Sequence, residues 1–131
     1  MNRYACAILL RDGQILLGKR AAHRRAYANC WDVIGGRVET GETLQAALTR
    51  ELGEELGISP IQFEKLAEIA DSNPGGRGEA LYHLFVVRSW VGEPEMRNGE
   101  HSELRWFDIE AACALFDLAL TEYPALFRLV R

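Results

Sequence analysis

Between Gly35 and Ile58 the chain reads GGRVETGETLQAALTRELGEELGI, and no other segment restricts the fold as much. A helical residue advances about 100°, so Leu44, Leu48, Leu52 and Leu56 fall within about 120° of one another and form one apolar stripe. Thr43 is placed to cap the start and Gly57 to close the end. The pattern predicts a helix over Thr43–Leu56 with one face buried. Glu51, Glu54 and Glu55 fall within about 80° of Leu44, at the edge of the stripe rather than opposite it.

Three effects make that edge unfavourable for bare carboxylates. Glu51–Glu55 and Glu51–Glu54 are i,i+4 and i,i+3 pairs, and like charges so spaced each cost about 0.2–0.5 kcal/mol. Partial burial lowers the effective dielectric and enlarges the repulsion. The helix C-terminus disfavours negative charge. A divalent cation would relieve all three. An all-oxygen ligand set suits Mg2+, Mn2+ or Ca2+, and no His or Cys lies close by to favour zinc. The competing reading is a solvated glutamate run partnered by Arg50. The edge position and the preceding Gly35-Gly36 favour the cation, because glycine lets a carbonyl approach a metal or phosphate without a Cβ in the way. Glu42, before the helix, is within reach of Arg50.

The remaining chain supplies a sheet. Tyr4–Leu10 and Gln14–Gly18 flank Arg11-Asp12-Gly13, a hairpin signal. Lys19–Asn29 reads as a loop, Trp31–Ile34 as a short apolar stretch that Gly35-Gly36 breaks. Ile61–Ala70, Ala80–Val91 and Glu103–Phe107 are strand-like. Asp71–Gly78 and Gly92–His101 are loops, and Ile109–Phe116 and Glu122–Val130 are helical. The order predicts an α/β (α+β) sandwich on a mixed sheet, one domain over 1–131.

Composition excludes several functions. The 131 residues are 48% hydrophobic, enough for a core. A net charge of -4 argues against binding a nucleic-acid polymer, and it repels any anionic substrate unless local arginines or metal ions attract it. Cys6, Cys30 and Cys113 are odd in number and unpaired in spacing, which fits reduced thiols in the cytoplasm. Neither His23 nor His83 gives Cys30 a recognised nucleophile arrangement. The apolar run Ala5–Leu10 is too short for a signal-peptide core or a membrane span.

The glycine-to-isoleucine segment resembles the Nudix box of the Nudix hydrolase family: Gly, five residues, Glu, seven residues, Arg-Glu-aliphatic, one residue, Glu-Glu, one residue, Gly-aliphatic. Gly36, Glu42, Arg50-Glu51-Leu52, Glu54-Glu55 and Gly57-Ile58 match every defined position across residues 36–58. The similarity extends to Gly99–Phe107 downstream. It implies a Nudix-type α/β/α sandwich with a mixed central sheet. It also implies a metal-dependent hydrolase of a nucleotide diphosphate bond, using Mg2+ with Mn2+ as substitute.

By position, the resemblance implies that Glu51, Glu54, Glu55, the Gly35 carbonyl and Glu100 hold metal. Arg50 would orient Glu51 or bond Glu42. Glu51 or Glu100 would take the proton of the attacking water, with Glu103 as the rival of Glu100. Arg20 occupies a substrate-contacting position of the mutation-preventing branch, and Trp31, Tyr82 and Phe85 are aromatics able to stack on a base. The leading expectation is a nucleoside triphosphate pyrophosphohydrolase releasing monophosphate and pyrophosphate. An ADP-ribose or nucleotide-sugar pyrophosphatase is the alternative, because Pro74 lies sixteen residues after Ile58. A non-catalytic nucleotide sensor is a third, which the complete acidic set disfavours. Many relatives pair, so a homodimer is compatible with the resemblance. Ile34 stands where many relatives have proline and Val33 where that branch has phenylalanine. No purine-contacting asparagine is evident near Leu120–Tyr123, so oxidised-purine specificity does not follow.

Overall fold

The computed structural model describes residues 1–131. The chain runs β1 (Asn2–Arg11), β2 (Gln14–Arg20), β3 (Trp31–Asp32), β4 (Ile34–Arg37), α1 (Leu44–Leu56), β5 (Ser59–Asp71), β6 (Ala80–Val91), β7 (His101–Asp108), α2 (Ile109–Cys113) and α3 (Tyr123–Leu129). The strands form one mixed sheet in the order β3-β2-β1-β6-β5, with β4 also on β1 and β7 also on β2. Only β1 and β6 run parallel, from Asn2 beside Ala80 to Leu9 beside Val87.

Alternation along β1 sorts the core into two layers. Ala5, Ala7 and Leu9 face α1 and pack with Ala47, Leu48, Leu52 and Leu56. Cys6 and Ile8 face the other way, toward Ala112, Tyr123 and Phe127 of α2 and α3. The sheet is thus covered by helices on both faces, as the expected sandwich requires. Leu48, Leu52 and Leu56 are fully buried, each stabilising the fold by about 1.5–3 kcal/mol.

α1 has the expected caps. The Thr43 hydroxyl accepts from the Ala46 N–H at 3.1 Å, and Gly57 ends the helix in the left-handed region at φ 72°. The Asp12-Gly13 hairpin also stands: both residues have positive φ, and Arg11 pairs with Gln14.

Three readings need correction. Gly35-Gly36 does not break a strand; the pair lies inside β4, opposite Cys6 and Ala5. A Cβ on Gly35 would stand 2.2 Å from the Ala5 carbonyl oxygen, so the glycines permit close strand pairing rather than end it. The helix expected over Ile109–Phe116 stops at Cys113, and Phe116 is 97% exposed. So short a helix lives on packing, and past Cys113 only Leu115 of the expected span still packs against the core. The strand expected over Glu103–Phe107 runs from His101 to Asp108, paired along β2.

Candidate active site

A cleft with a cavity volume of about 290 Å3 opens where α1, β4, the β2–β3 loop and the start of β7 meet. Its acidic wall comes from α1. Glu51 and Glu55 line the cleft. Glu51 lies flush over Gly36, where a Cβ would stand 2.3 Å from its carboxylate carbon. Glu54 does not line the cleft, and its side chain is 55% exposed. Arg50 fixes this wall. It donates to Glu42 through Nε at 2.8 Å and Nη2 at 3.0 Å, to Glu51 Oε1 at 2.8 Å and to the Arg37 carbonyl at 2.9 Å. A weaker bond reaches Glu54 at 3.3 Å. The bidentate guanidinium pulls the Glu42 carboxyl down to about 2.

Glu55 is the unusual group. It is 2% exposed, and its Oε2 has no hydrogen-bond partner. Burial, then the adjacent Glu100, push its carboxyl up to about 11. Glu100 moves down, held by its hydrogen bond with Glu55. The two carboxyls shift in opposite directions, as closely interacting acids do. Arg24 Nη1 faces Glu100 at 3.5 Å. Burial also raises Glu51. No three His, Cys, Asp or Glu side chains are already gathered into a cage. An unpartnered buried carboxylate oxygen among all-oxygen donors nevertheless fits a hard divalent cation.

The opposite wall is polar and aromatic, and its leading member was missed in the sequence. Asp32 on β3 accepts from the Val33 N–H at 2.8 Å, from Arg20 Nη1 at 3.4 Å and from the Tyr123 hydroxyl. Burial raises its carboxyl despite these donors. The available signal was a charge inside the apolar stretch Trp31–Ile34. Arg20 lines the cleft and also donates to the Ala26 carbonyl at 2.8 Å. It sits at an irregularity in the β2–β7 pairing, next to His101. The half-buried His101 ring packs against Gly18, and desolvation lowers its imidazole to about 4.

Tyr82 lines the cleft and donates to Asp71 at 3.1 Å. Trp31 does not line it: the ring is 5% exposed and packs edge-on against Phe107 at 5.0 Å. Its expected stacking role is therefore corrected to a core role, because the indole faces α2 and α3 rather than the opening. Phe85 is likewise core. Glu103 pairs with Arg105 away from the cleft, whereas Glu100 lines it. Pro74 also lines the cleft.

A family model described as NUDIX domain matches residues 1–129. A CTP pyrophosphohydrolase of Escherichia coli is 36% identical over 96% of this chain and 89% of its own. An oxidized purine nucleoside triphosphate hydrolase of Danio rerio is 34% identical over 79% of this chain, but the match spans only 64% of that relative, under two thirds of its length. Among solved structures, a MutT NUDIX hydrolase from Burkholderia pseudomallei superposes with a TM-score of 0.85 at 27% identity, covering 99% of this chain and 98% of the other.

Proposed function

The chain belongs to the NUDIX domain family, and from that premise we propose that it hydrolyses nucleoside triphosphates to the monophosphate and pyrophosphate. The observation that carries this reading is buried Glu55 against Glu100 and beside Glu51, with its carboxylate oxygen left unpartnered in the cleft. Buried acids without partners are costly, and a cation-dependent site explains their retention. The relatives named above carry triphosphate-hydrolase descriptions, which supports the substrate class.

In this reading Glu51, Glu55 and Glu100, with Glu54 and the Gly35 carbonyl, hold Mg2+ or Mn2+, which when bound neutralises the diphosphate and acidifies water. The chain's own residues do the rest. Arg50, anchored on Glu42 and the Arg37 carbonyl, holds Glu51 Oε1 and leaves Oε2 free. Glu51, raised by burial, and Glu100, held down by Glu55, are the two carboxylates positioned to accept a proton from water. The Asp32–Tyr123 side of the cleft takes the nucleoside end. Catalysis then rests on positioning and electrostatics, as phosphoryl chemistry generally does. Residues 1–131 act as one catalytic unit, and a homodimer is the assembly proposed for test by light scattering. No helix is long and apolar enough to cross a membrane; a cytoplasmic location is part of the proposal.

The test is product analysis with a panel of nucleoside triphosphates, ADP-ribose and nucleotide sugars, each with Mg2+, Mn2+ or EDTA. Cation-dependent release of monophosphate and pyrophosphate is expected. A second reading draws on Pro74 at the cleft wall: preferential cleavage of ADP-ribose would replace the triphosphate proposal. Nucleotide binding without turnover would replace both with a sensor.

A further inference from the structure

The cleft carries more positive charge than its acids engage. Arg20 is committed to Asp32 and the Ala26 carbonyl, Arg24 faces Glu100, and Arg37 donates to Asn2 Oδ1 at 2.7 Å. Arg25 and Arg77 line the same cleft with side chains that make no hydrogen bond or ion pair. They come from facing loops, one between β2 and β3, the other between β5 and β6.

Tyr27–Asp71 and the approach of Gly75 to Arg25 hold those loops face to face, and Asn2 of β1 ties down the second loop. Tyr27 and Tyr82 both donate to Asp71 Oδ2. Gly75 lies so close to the first loop that a Cβ would stand 3.2 Å from Arg25 Cβ. Asn2 Nδ2 donates to the Arg77 carbonyl at 3.1 Å, while its Oδ1 receives Arg37. Tyr27 adopts φ 54°, a conformation uncommon for a bulky residue and sustained by surrounding contacts. Two guanidiniums with all donors free are thus carried on latched loops at one cleft. In a chain of net charge -4, that arrangement repels cations locally and attracts a multiply charged anion.

We propose that Arg25 and Arg77 clamp the terminal phosphates of a triphosphate, those that depart as pyrophosphate, and so read the length of the phosphate chain. This rests on the triphosphate reading. A diphosphate engaged at the acidic wall offers the clamp one phosphate instead of two. Tyr27, Asp71 and Tyr82 are positioning residues that set the spacing between its halves.

The experiment is calorimetric titration with the non-hydrolysable α,β-methylene analogues of one nucleoside triphosphate and its diphosphate, in Mg2+. The wild type is expected to prefer the triphosphate analogue. Arg25→Gln and Arg77→Gln should each shrink that preference about three- to tenfold, and the double variant should abolish it. Arg77→Lys should restore part of it, because charge returns without the fork. Tyr27→Phe, which changes no charge, should also shrink it. Both arginines are exposed, so the variants are expected to fold, which thermal melts check. An undiminished preference in the double variant overturns the clamp while leaving the triphosphate reading intact. An equal loss for both analogues overturns it too, since it would mean general anion attraction. If the wild type neither prefers the triphosphate analogue nor cleaves triphosphates, both readings fall.

Discussion

The two walls of the cleft are built on opposite plans. The acidic wall takes Glu51 and Glu55 from one helix and Glu42 and Arg50 from within a dozen residues. The facing wall ties Asp32 to Tyr123 across 91 positions and Tyr27 to Asp71 across 44. One wall is local and electrostatically strained. The other is assembled at long range and largely satisfied, since Asp32 has three donors. The difference teaches where stability and chemistry reside. Strain concentrated on a helix that its leucines already anchor can be retained for catalysis, whereas a wall joined by distant contacts also holds the fold together.

Substitutions should separate the walls accordingly. The largest effect is expected for Glu55→Gln, with kcat in Mg2+ falling by about 100-fold or more in steady-state assays. The same change should stabilise the cation-free protein. The folded carboxyl lies near 11 against an ordinary 4.5, so its contribution is present below pH 4.5 and is lost progressively as pH rises toward 11. Melts in EDTA at pH 5 and pH 8 should show this loss in the wild type and a flatter profile in the variant. Loss of stability in the variant at pH 8 would break the comparison.

Tyr123→Phe should do the reverse, removing a donor from buried Asp32 and costing about 1–3 kcal/mol in urea unfolding while kcat changes little. Arg50→Lys, which keeps charge but loses the fork, should lower kcat about tenfold by freeing Glu51. A purely structural Arg50 would move the melting temperature and leave kcat unchanged. Glu42→Gln should have the smallest effect. With its carboxyl drawn down to about 2 from 4.5, Glu42 contributes stability above pH 4.5 that is lost as pH falls through 2. The variant should show a shallower acid limb in thermal melts.

The local wall was legible because helical periodicity converts spacing directly into direction: the leucine stripe fixes which way α1 faces, and the caps at Thr43 and Gly57 fix where it stops. Even there, periodicity placed three glutamates together at one edge, yet Glu55 is 2% exposed and the Glu54 side chain 55%. Which carboxylate is buried depends on what lies above it, and for Glu55 that includes Glu100 from a loop 45 positions away. The strand order and the membership of Gly35-Gly36 in β4 were likewise not in the pattern, because a glycine pair reads equally as a turn or as a site of close strand approach.

By itself, then, the sequence determined the α1 scaffold, the sandwich and the family, since each depends on neighbours within a few turns or on a contiguous motif. Tertiary structure alone decided that Trp31 is core, that Asp32 faces the cleft, and that Arg25 and Arg77 share it. Those assignments depend on contacts between residues dozens of positions apart, and no local periodicity encodes which distant loops will meet.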